Sequence, residues 1–172
     1  DYWQNNGYVI DLGLENVNIN ILVLNNENTD ATYYVGGLSG SGNFITERVY
    51  VVGKVEVQNA SRSRVGLLSG DSSGSIIKEV YIKGVVINEP KYYGYTGGLI
   101  GKSNSSILEN IYSTVEITST GSYVGGIVGQ MDSGEISNVY FNGSISSSAN
   151  YKGSITGYMG NLSKARNLYG EN

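Results

Sequence analysis

A short word bracketed by glycines recurs along the whole chain and restricts its possible folds more than any other feature. We call this word the glycine pentad. Its five copies are Gly36-Gly37-Leu38-Ser39-Gly40, Gly66-Leu67-Leu68-Ser69-Gly70, Gly97-Gly98-Leu99-Ile100-Gly101, Gly125-Gly126-Ile127-Val128-Gly129 and Gly153-Ser154-Ile155-Thr156-Gly157. Their first glycines are 30, 31, 28 and 28 residues apart. A word repeated at a nearly constant period of this length indicates that each repeat is one structural unit.

Two further patterns keep the same period. An aliphatic residue followed by tyrosine comes after each pentad, as Val49-Tyr50, Val80-Tyr81, Ile111-Tyr112, Val139-Tyr140 and Leu168-Tyr169. Alternating aliphatic residues then close the repeats, at Val55 and Val57, Val85 and Ile87, Val115 and Ile117, and at Ile145. Each repeat therefore contains three short strand-like segments separated by Gly, Asn or Ser.

This arithmetic predicts an all-β fold, a right-handed parallel β-helix (β-solenoid) with three short strands per coil of 28–31 residues and about five coils. Each strand is too short to be stable alone, so each coil must cover the edge of its neighbour. The right hand is expected from the crossover rule. An antiparallel β-sandwich or propeller also has short, regularly spaced strands, but these rarely repeat one three-part word at a constant period.

Composition limits the chemistry. The chain has a formal net charge of −4 and only 11 scattered basic residues, which disfavours nucleic acid as a partner. It has no histidine and no cysteine, which removes most zinc sites, thiol nucleophiles and Ser-His-Asp triads. Asp71 and Asp132 do not follow calcium-loop spacing, so we expect no metal and no cofactor. Apolar runs are short, and membrane insertion by this segment is not expected.

The domain organisation follows from where the repeats begin. We expect a single module over residues 1–172, with 1–13 as a leading or capping segment and 14–172 as repeats. Trp3 and Tyr8 are candidates for a local cap, because solenoids need terminal shielding. The chain opens in mid-repeat and stops just after Tyr169, so we expect it to belong to a longer polypeptide with flanking domains.

Two sets of polar residues recur with the repeat, and each is a candidate for a catalytic or a structural role. Glu56 and Glu116 are expected at equivalent outward positions two coils apart, about 10 Å, which is too far for most paired-carboxylate glycosidases. The residues directly before the aliphatic-tyrosine pairs form a column that is expected to take left-handed turn conformations, with hydrogen bonds from coil to coil. Within this column, Arg48 is expected to form an ion pair with Glu79. The members of the column are Asn16, Arg48, Glu79, Asn110, Asn138 and Asn167.

The candidate binding residues lie just before the pentads. Tyr34, Arg64, Tyr95, Tyr123 and Tyr151 stand two places before them, and the preceding segments vary most in length, as in Asn25 to Tyr34. Such variation marks one face, often the binding face, although cross-coil packing of the rings is an open alternative. Tyrosine and arginine are enriched at interfaces, and tyrosine stacks on sugars. The candidates are Tyr33, Tyr34, Arg62, Arg64, Tyr92, Tyr93, Tyr95, Tyr123 and Tyr151.

A second tyrosine column favours packing rather than binding. It comprises the tyrosines of the aliphatic-tyrosine pairs, which alternation turns outward or into a groove. Its members are Tyr50, Tyr81, Tyr112, Tyr140 and Tyr169.

At Gly98-Leu99-Ile100-Gly101 and Gly126-Ile127-Val128-Gly129 the chain resembles the GLUG repeat, and the resemblance extends from Leu14 onward. It departs from the motif at Leu67 and Ser154, which replace the second glycine. The resemblance implies a secreted or cell-wall-associated protein of a Gram-positive bacterium, an adhesin-like virulence protein or the non-catalytic region of an immunoglobulin A metallopeptidase. The peptidase's His-Glu-x-x-His word is absent.

Three functions are therefore expected in descending order. The first is a non-catalytic extracellular spacer that binds a host glycoprotein, immunoglobulin included, or a glycan. The second is a substrate-docking accessory domain of an immunoglobulin A-cleaving zinc metalloendopeptidase whose catalytic domain lies outside this chain. The third is a β-helix enzyme that degrades polysaccharides.

Overall fold

The computed structural model describes residues 7–24 and 30–171, and every regular element in these ranges is a β-strand. Trp3 of the suggested cap and residues 25–29 of the first variable segment lie outside the described residues. The described ranges contain no helix that is long and apolar enough to cross a membrane. The strands are β1 (Gly7–Leu22), β2 (Thr32–Val35), β3 (Ser39–Gly42), β4 (Phe44–Gln58), β5 (Arg62–Val65), β6 (Ser69–Ser73), β7 (Ile76–Glu89), β8 (Tyr93–Gly97), β9 (Ile100–Asn104), β10 (Ser106–Ser119), β11 (Tyr123–Gly125), β12 (Val128–Phe141), β13 (Ser144–Ser147), β14 (Tyr151–Gly153) and β15 (Thr156–Gly170).

The strands form two parallel sheets in which neighbours are one repeat apart. The larger sheet has the order β1-β4-β7-β10-β12-β9-β6-β3, with β13 on β10 and β15 on β12. The second sheet has the order β14-β11-β8-β5-β2. All pairings are parallel. The predicted all-β parallel solenoid is confirmed, with about 4 turns, close to the five expected.

The strands of each coil differ in length from the three short strands predicted. One coil consists of the short strands β5 and β6 and the long strand β7, which joins two of the predicted segments. Strand β7 turns at Glu79 (φ 51°) and Gly84 (φ 140°) without breaking its pairing to β4. The short strands β2, β5 and β8 begin inside the segments of variable length that precede the pentads, and β11 and β14 begin at the last residues of these segments, Tyr123 and Tyr151.

The glycine pentads stack directly on one another. The amide of Leu67 donates to the Gly98 carbonyl (2.9 Å), and that of Leu99 donates to the Ile127 carbonyl (2.9 Å). Their apolar side chains are buried, including Leu68, except that Leu38 of the first pentad is partly buried. A Cβ at Gly101 would collide with the backbone of β5, including Arg64 C at 2.8 Å. The closing glycine is therefore needed because the two sheets approach closely there.

The interior is filled by columns of aliphatic side chains. Val49, Val80, Ile111 and Val139 are buried and Leu168 is partly buried, as their place beside outward tyrosines predicted. A series of side-chain hydrogen bonds also crosses this core: Ser63 Oγ donates to Asn88 Oδ1 (2.7 Å), and Asn88 Nδ2 donates to Thr96 Oγ1 (2.8 Å). These buried groups satisfy one another, as burial requires.

The polar column forms as predicted over most of its length. Arg48, Glu79, Asn110, Asn138 and Asn167 all have φ between 51° and 57°. Asn138 Nδ2 donates to Asn110 Oδ1 (3.0 Å), and Asn167 Nδ2 donates to Asn138 Oδ1 (2.8 Å). The coil turns at this column, and the asparagines bridge consecutive coils.

Two expectations for this column are wrong. The first coil contributes Asp11, at φ 55°, because Ile10 pairs with Glu47 and Leu12 with Val49. Asn16 is left-handed as expected, at φ 57°, but it lies outside the column, in an irregularity of the pairing between Leu14 and Val17. Arg48 pairs with Asp11 (2.6 Å) and with Glu47, rather than with Glu79.

Candidate ligand-binding face

The second sheet brings the predicted tyrosine and arginine residues into one column. Tyr34 pairs with Arg64, Arg64 with Tyr95, Tyr95 with Tyr123 and Tyr123 with Tyr151. These side chains occupy alternate positions of short strands, so they share the outer side of the sheet. We call this surface the tyrosine–arginine face.

The column is a continuous stack of planar groups. The Arg64 guanidinium lies 5.1 Å from the Tyr34 ring centroid and 5.4 Å from that of Tyr95. The rings of Tyr95 and Tyr123 are 5.1 Å apart at 13°, and those of Tyr123 and Tyr151 are 4.7 Å apart at 4°. The packing alternative is thus realised, because the ring faces of Tyr95 and Tyr123 are used within the stack.

Two further tyrosines support the stack from its side. Tyr93 meets Tyr95 edge to face at 5.1 Å, and Tyr158 meets Tyr151 in the same manner at 5.7 Å. The Tyr123 hydroxyl donates a hydrogen bond to Tyr93, which raises the pKa of Tyr123 to about 12. Burial raises the pKa of Tyr93 above its ordinary value as well. The hydroxyl of Tyr93 is therefore linked to that of Tyr123 in the stack.

An adjacent column of residues, which sequence reasoning missed, supplies charges. Arg64 forms an ion pair with Asp71, Lys102 Nζ lies 2.9 Å from Asp132 Oδ2, and Lys102 Nζ lies 5.3 Å from the Tyr95 ring centroid. Burial acts to raise the pKa of Asp132, but hydrogen bonds from Gln130 and Lys102 lower it below its ordinary value. The column follows the closing glycine of each pentad, and this constant spacing was the signal available. Its members are Ser41, Asp71, Lys102, Gln130 and Tyr158.

An open depression of about 520 Å³ lies at one part of the face. Each lining residue carries a hydroxyl or a guanidinium group. Tyr92 is 53% exposed, and Lys91 Nζ lies 5.1 Å from its ring centroid. The lining residues are Thr32, Arg62, Ser63, Arg64, Tyr92, Tyr93 and Tyr95.

The candidate residues separate into three groups. Arg62, Arg64, Tyr92, Tyr93 and Tyr95 line the depression, while Tyr34, Tyr123 and Tyr151 extend the stack away from it. Tyr33 does not belong to this face, because alternation turns it toward the core, where it is partly buried. Arg62 is exposed and lies 2.9 Å from Asp30.

The second tyrosine column faces outward on the larger sheet, as predicted. Tyr50, Tyr81, Tyr112, Tyr140 and Tyr169 pair in succession. Tyr81 and Tyr112 stack at 5.6 Å, and Tyr112 and Tyr140 at 5.4 Å. Tyr50 OH donates to Glu15 Oε1 (3.1 Å). These contacts give the larger sheet its own ladder.

The two candidate carboxylates are not equivalent. Glu56 pairs with Ile87, whereas Glu116 pairs with Val85, so they are two residues out of line along the strand. Val86 pairs with Val55 and Ile117, so it stands directly opposite neither carboxylate. Within residues 7–24 and 30–171, no group of three or more acidic side chains is arranged to hold a metal ion.

Comparison with known proteins identifies one repeat. Residues 120–146 match the family model of the GLUG motif. The match spans β11, the fourth pentad and β12, and it reaches into β13. The predicted resemblance to GLUG repeats is confirmed by this match together with the solenoid fold. No curated protein and no solved structure matches the chain.

Proposed function

We propose that this chain is a non-catalytic, rigid spacer of a secreted or cell-wall-associated bacterial protein and that its tyrosine–arginine face binds a host glycoprotein or glycan. The observation that carries the proposal is the depression on this face, where Arg62, Tyr92 and Tyr93 lie beside Arg64 and Tyr95 of the continuous side-chain stack.

The spacer role is supported by ladders on several sides of the rod. Stacked tyrosines, the asparagine column and the pentad hydrogen bonds each connect one coil to the next. In a solenoid, stability is the sum of unit and nearest-neighbour terms, so repeated cross-coil contacts stiffen the whole array. Such a rod holds flanking domains of the same polypeptide apart.

The binding role is supported by the lining of the depression. Hydroxyl and guanidinium groups match the alternating donors and acceptors of a sugar better than they match aliphatic side chains of a peptide. Because Tyr95 and Tyr123 use their faces in the stack, stacking on a sugar ring is left to the exposed Tyr92. A glycan is therefore the ligand class that the lining favours.

Surface plasmon resonance against immobilised mucin, immunoglobulin A and their deglycosylated forms tests this function. The variant Tyr92→Ala/Tyr93→Ala/Tyr95→Ala should lose most of its binding to these ligands while keeping the β-rich circular dichroism spectrum. A matched control, Tyr81→Ala/Tyr112→Ala/Tyr140→Ala, removes three rings from the other ladder and should retain binding. Equal affinity of the first variant and the wild type would refute the proposed face.

Immunoglobulin A is included because an accessory role beside a zinc metalloendopeptidase would use the same face. Binding that survives deglycosylation and is confined to immunoglobulin A would favour that docking role. Binding to mucin that depends on its sugars would favour the glycan role.

A further inference from the structure

We infer that the depression recognises an acidic sugar, with Arg62 as the group that binds its carboxylate or sulfate. This inference rests on the proposed function and specifies its ligand. It is carried by the placement of two guanidinium groups on one side of β5, beside the exposed ring of Tyr92.

The two arginines have different roles in this site. Arg64 is held by Asp71 and by the rings on either side, and only 24% of its side chain is exposed. It is a fixed positive charge in the wall. Arg62 stands two residues earlier on the same side of the strand, about 7 Å away, with 48% of its side chain exposed.

The present partner of Arg62 is exchangeable. Asp30 Oδ1 lies 2.9 Å from Arg62 Nη2, and the Asp30 side chain is 81% exposed. An exposed ion pair contributes little stability, so replacing Asp30 with a ligand anion costs little. The planar guanidinium can hold a carboxylate or sulfate through two parallel hydrogen bonds. Asp30 therefore occupies the place that a ligand anion would take.

The rest of the lining fits the sugar that carries this anion. Tyr92 offers an exposed ring, and the hydroxyl-bearing residues Thr32, Tyr93 and Tyr95 line the same depression. Lys91, over the Tyr92 ring, adds a cation at the rim. Because the whole chain has a net charge of −4, it does not attract anions in general, and binding of an anion here would have to come from these local groups.

Isothermal titration calorimetry with 3′-sialyllactose, lactose and a tetraglutamate peptide tests the inference. Sialyllactose should bind about tenfold more tightly than lactose, since one charge-assisted hydrogen-bonded pair accounts for that ratio. Arg62→Gln should abolish this preference. Arg166→Gln removes the same charge from an exposed position on the other sheet and should preserve it.

Three results would overturn the inference: equal binding of both sugars, equal losses in both arginine variants, or binding of tetraglutamate but neither sugar. Arg62→Gln should fold like the wild type, because Arg62 is exposed and its ion pair is weak. Mucin binding that is unaffected by sialidase and by Arg62→Gln, but lost in the Tyr92/Tyr93/Tyr95 variant, would refute the acidic ligand and leave the proposed function standing.

Discussion

The Arg64 guanidinium lies 5.4 Å from the ring centroid of Tyr95, its partner one coil away, and 5.1 Å from Tyr34 on the other side. An arginine thus takes the place of a tyrosine in an otherwise aromatic column. The substitution keeps the stack continuous, because a guanidinium is planar and is attracted to both ring faces. It also places a fixed cation in the wall of the depression.

Replacing Arg64 with alanine should lower the free energy of unfolding by about 2 kcal/mol, from two cation–π contacts and the loss of the partner of Asp71. Urea unfolding followed by circular dichroism measures this difference. Arg166→Ala, at an exposed site, should change stability by less than about 0.5 kcal/mol. Similar free energies of unfolding for the two variants would show that the stack contributes nothing to stability.

Asn138 allows the turn conformation to be separated from the ladder. Asn138→Ala should cost about 2 kcal/mol, because alanine at φ 53° is strained and both amide hydrogen bonds are lost. Asn138→Gly loses the same hydrogen bonds without the strain and should cost about 1 kcal/mol. Equal urea midpoints for these two variants would contradict the left-handed turn.

The closing glycine of a pentad should not tolerate a methyl group. Gly101→Ala should destabilise the protein by about 3 kcal/mol or prevent folding, since the added Cβ meets the β5 backbone and the Gly70 carbonyl oxygen at 2.7 Å. Gly7→Ala is the control, because no atom of the described part of the chain lies within 4 Å of its added Cβ. Thermal unfolding of both variants checks this prediction, which fails if Gly101→Ala melts with the wild type.

Alkaline pH should weaken the tyrosine–arginine face. The pKa of Tyr123 is about 12 in the folded protein and about 10 in the unfolded chain. The folded state holds this proton more tightly, so the contribution of the Tyr123 hydroxyl to the free energy of unfolding is complete below about pH 10 and is lost as the pH rises toward 12. The stability difference between wild type and Tyr123→Phe should therefore shrink over this range. Urea unfolding at each pH measures it, and a constant difference would contradict the Tyr123–Tyr93 hydrogen bond.

The sequence was sufficient to predict which residues form columns, because the repeat length itself determines which residues become neighbours. The spacing of Tyr95, Tyr123 and Tyr151 led directly to the observed stack. Sequence could not decide whether rings in the column stack on each other or on a ligand. That depends on ring orientation, which neighbours such as Tyr93 and Arg64 determine.

The sequence predicts the wrong partners where its pattern fits more than one register. Alternating strands look the same after a shift of two residues, so the sequence pattern matches Glu116 to Glu56, whereas Glu116 pairs with Val85 and Glu56 pairs with Ile87. In the first coil Gly13 stands opposite Tyr50, so no tyrosine marks the register there and the pattern predicts Asn16 in place of Asp11. The buried Asn88 was also unpredictable, because its partners Ser63 and Thr96 come from other strands.

Every feature of the face depends on coils stacking in register, and disulfide formation tests this most directly. Thr118 and Ser146 are exposed, directly paired partners, and the chain has no other cysteine to interfere. Thr118→Cys/Ser146→Cys should form a disulfide on mild oxidation, because the Cα atoms of adjacent strands are about 4.8 Å apart. Thr118→Cys/Ser144→Cys, two residues out of register at about 8 Å, should keep free thiols. Mass spectrometry that found the disulfide in the second variant and free thiols in the first would contradict the stacking.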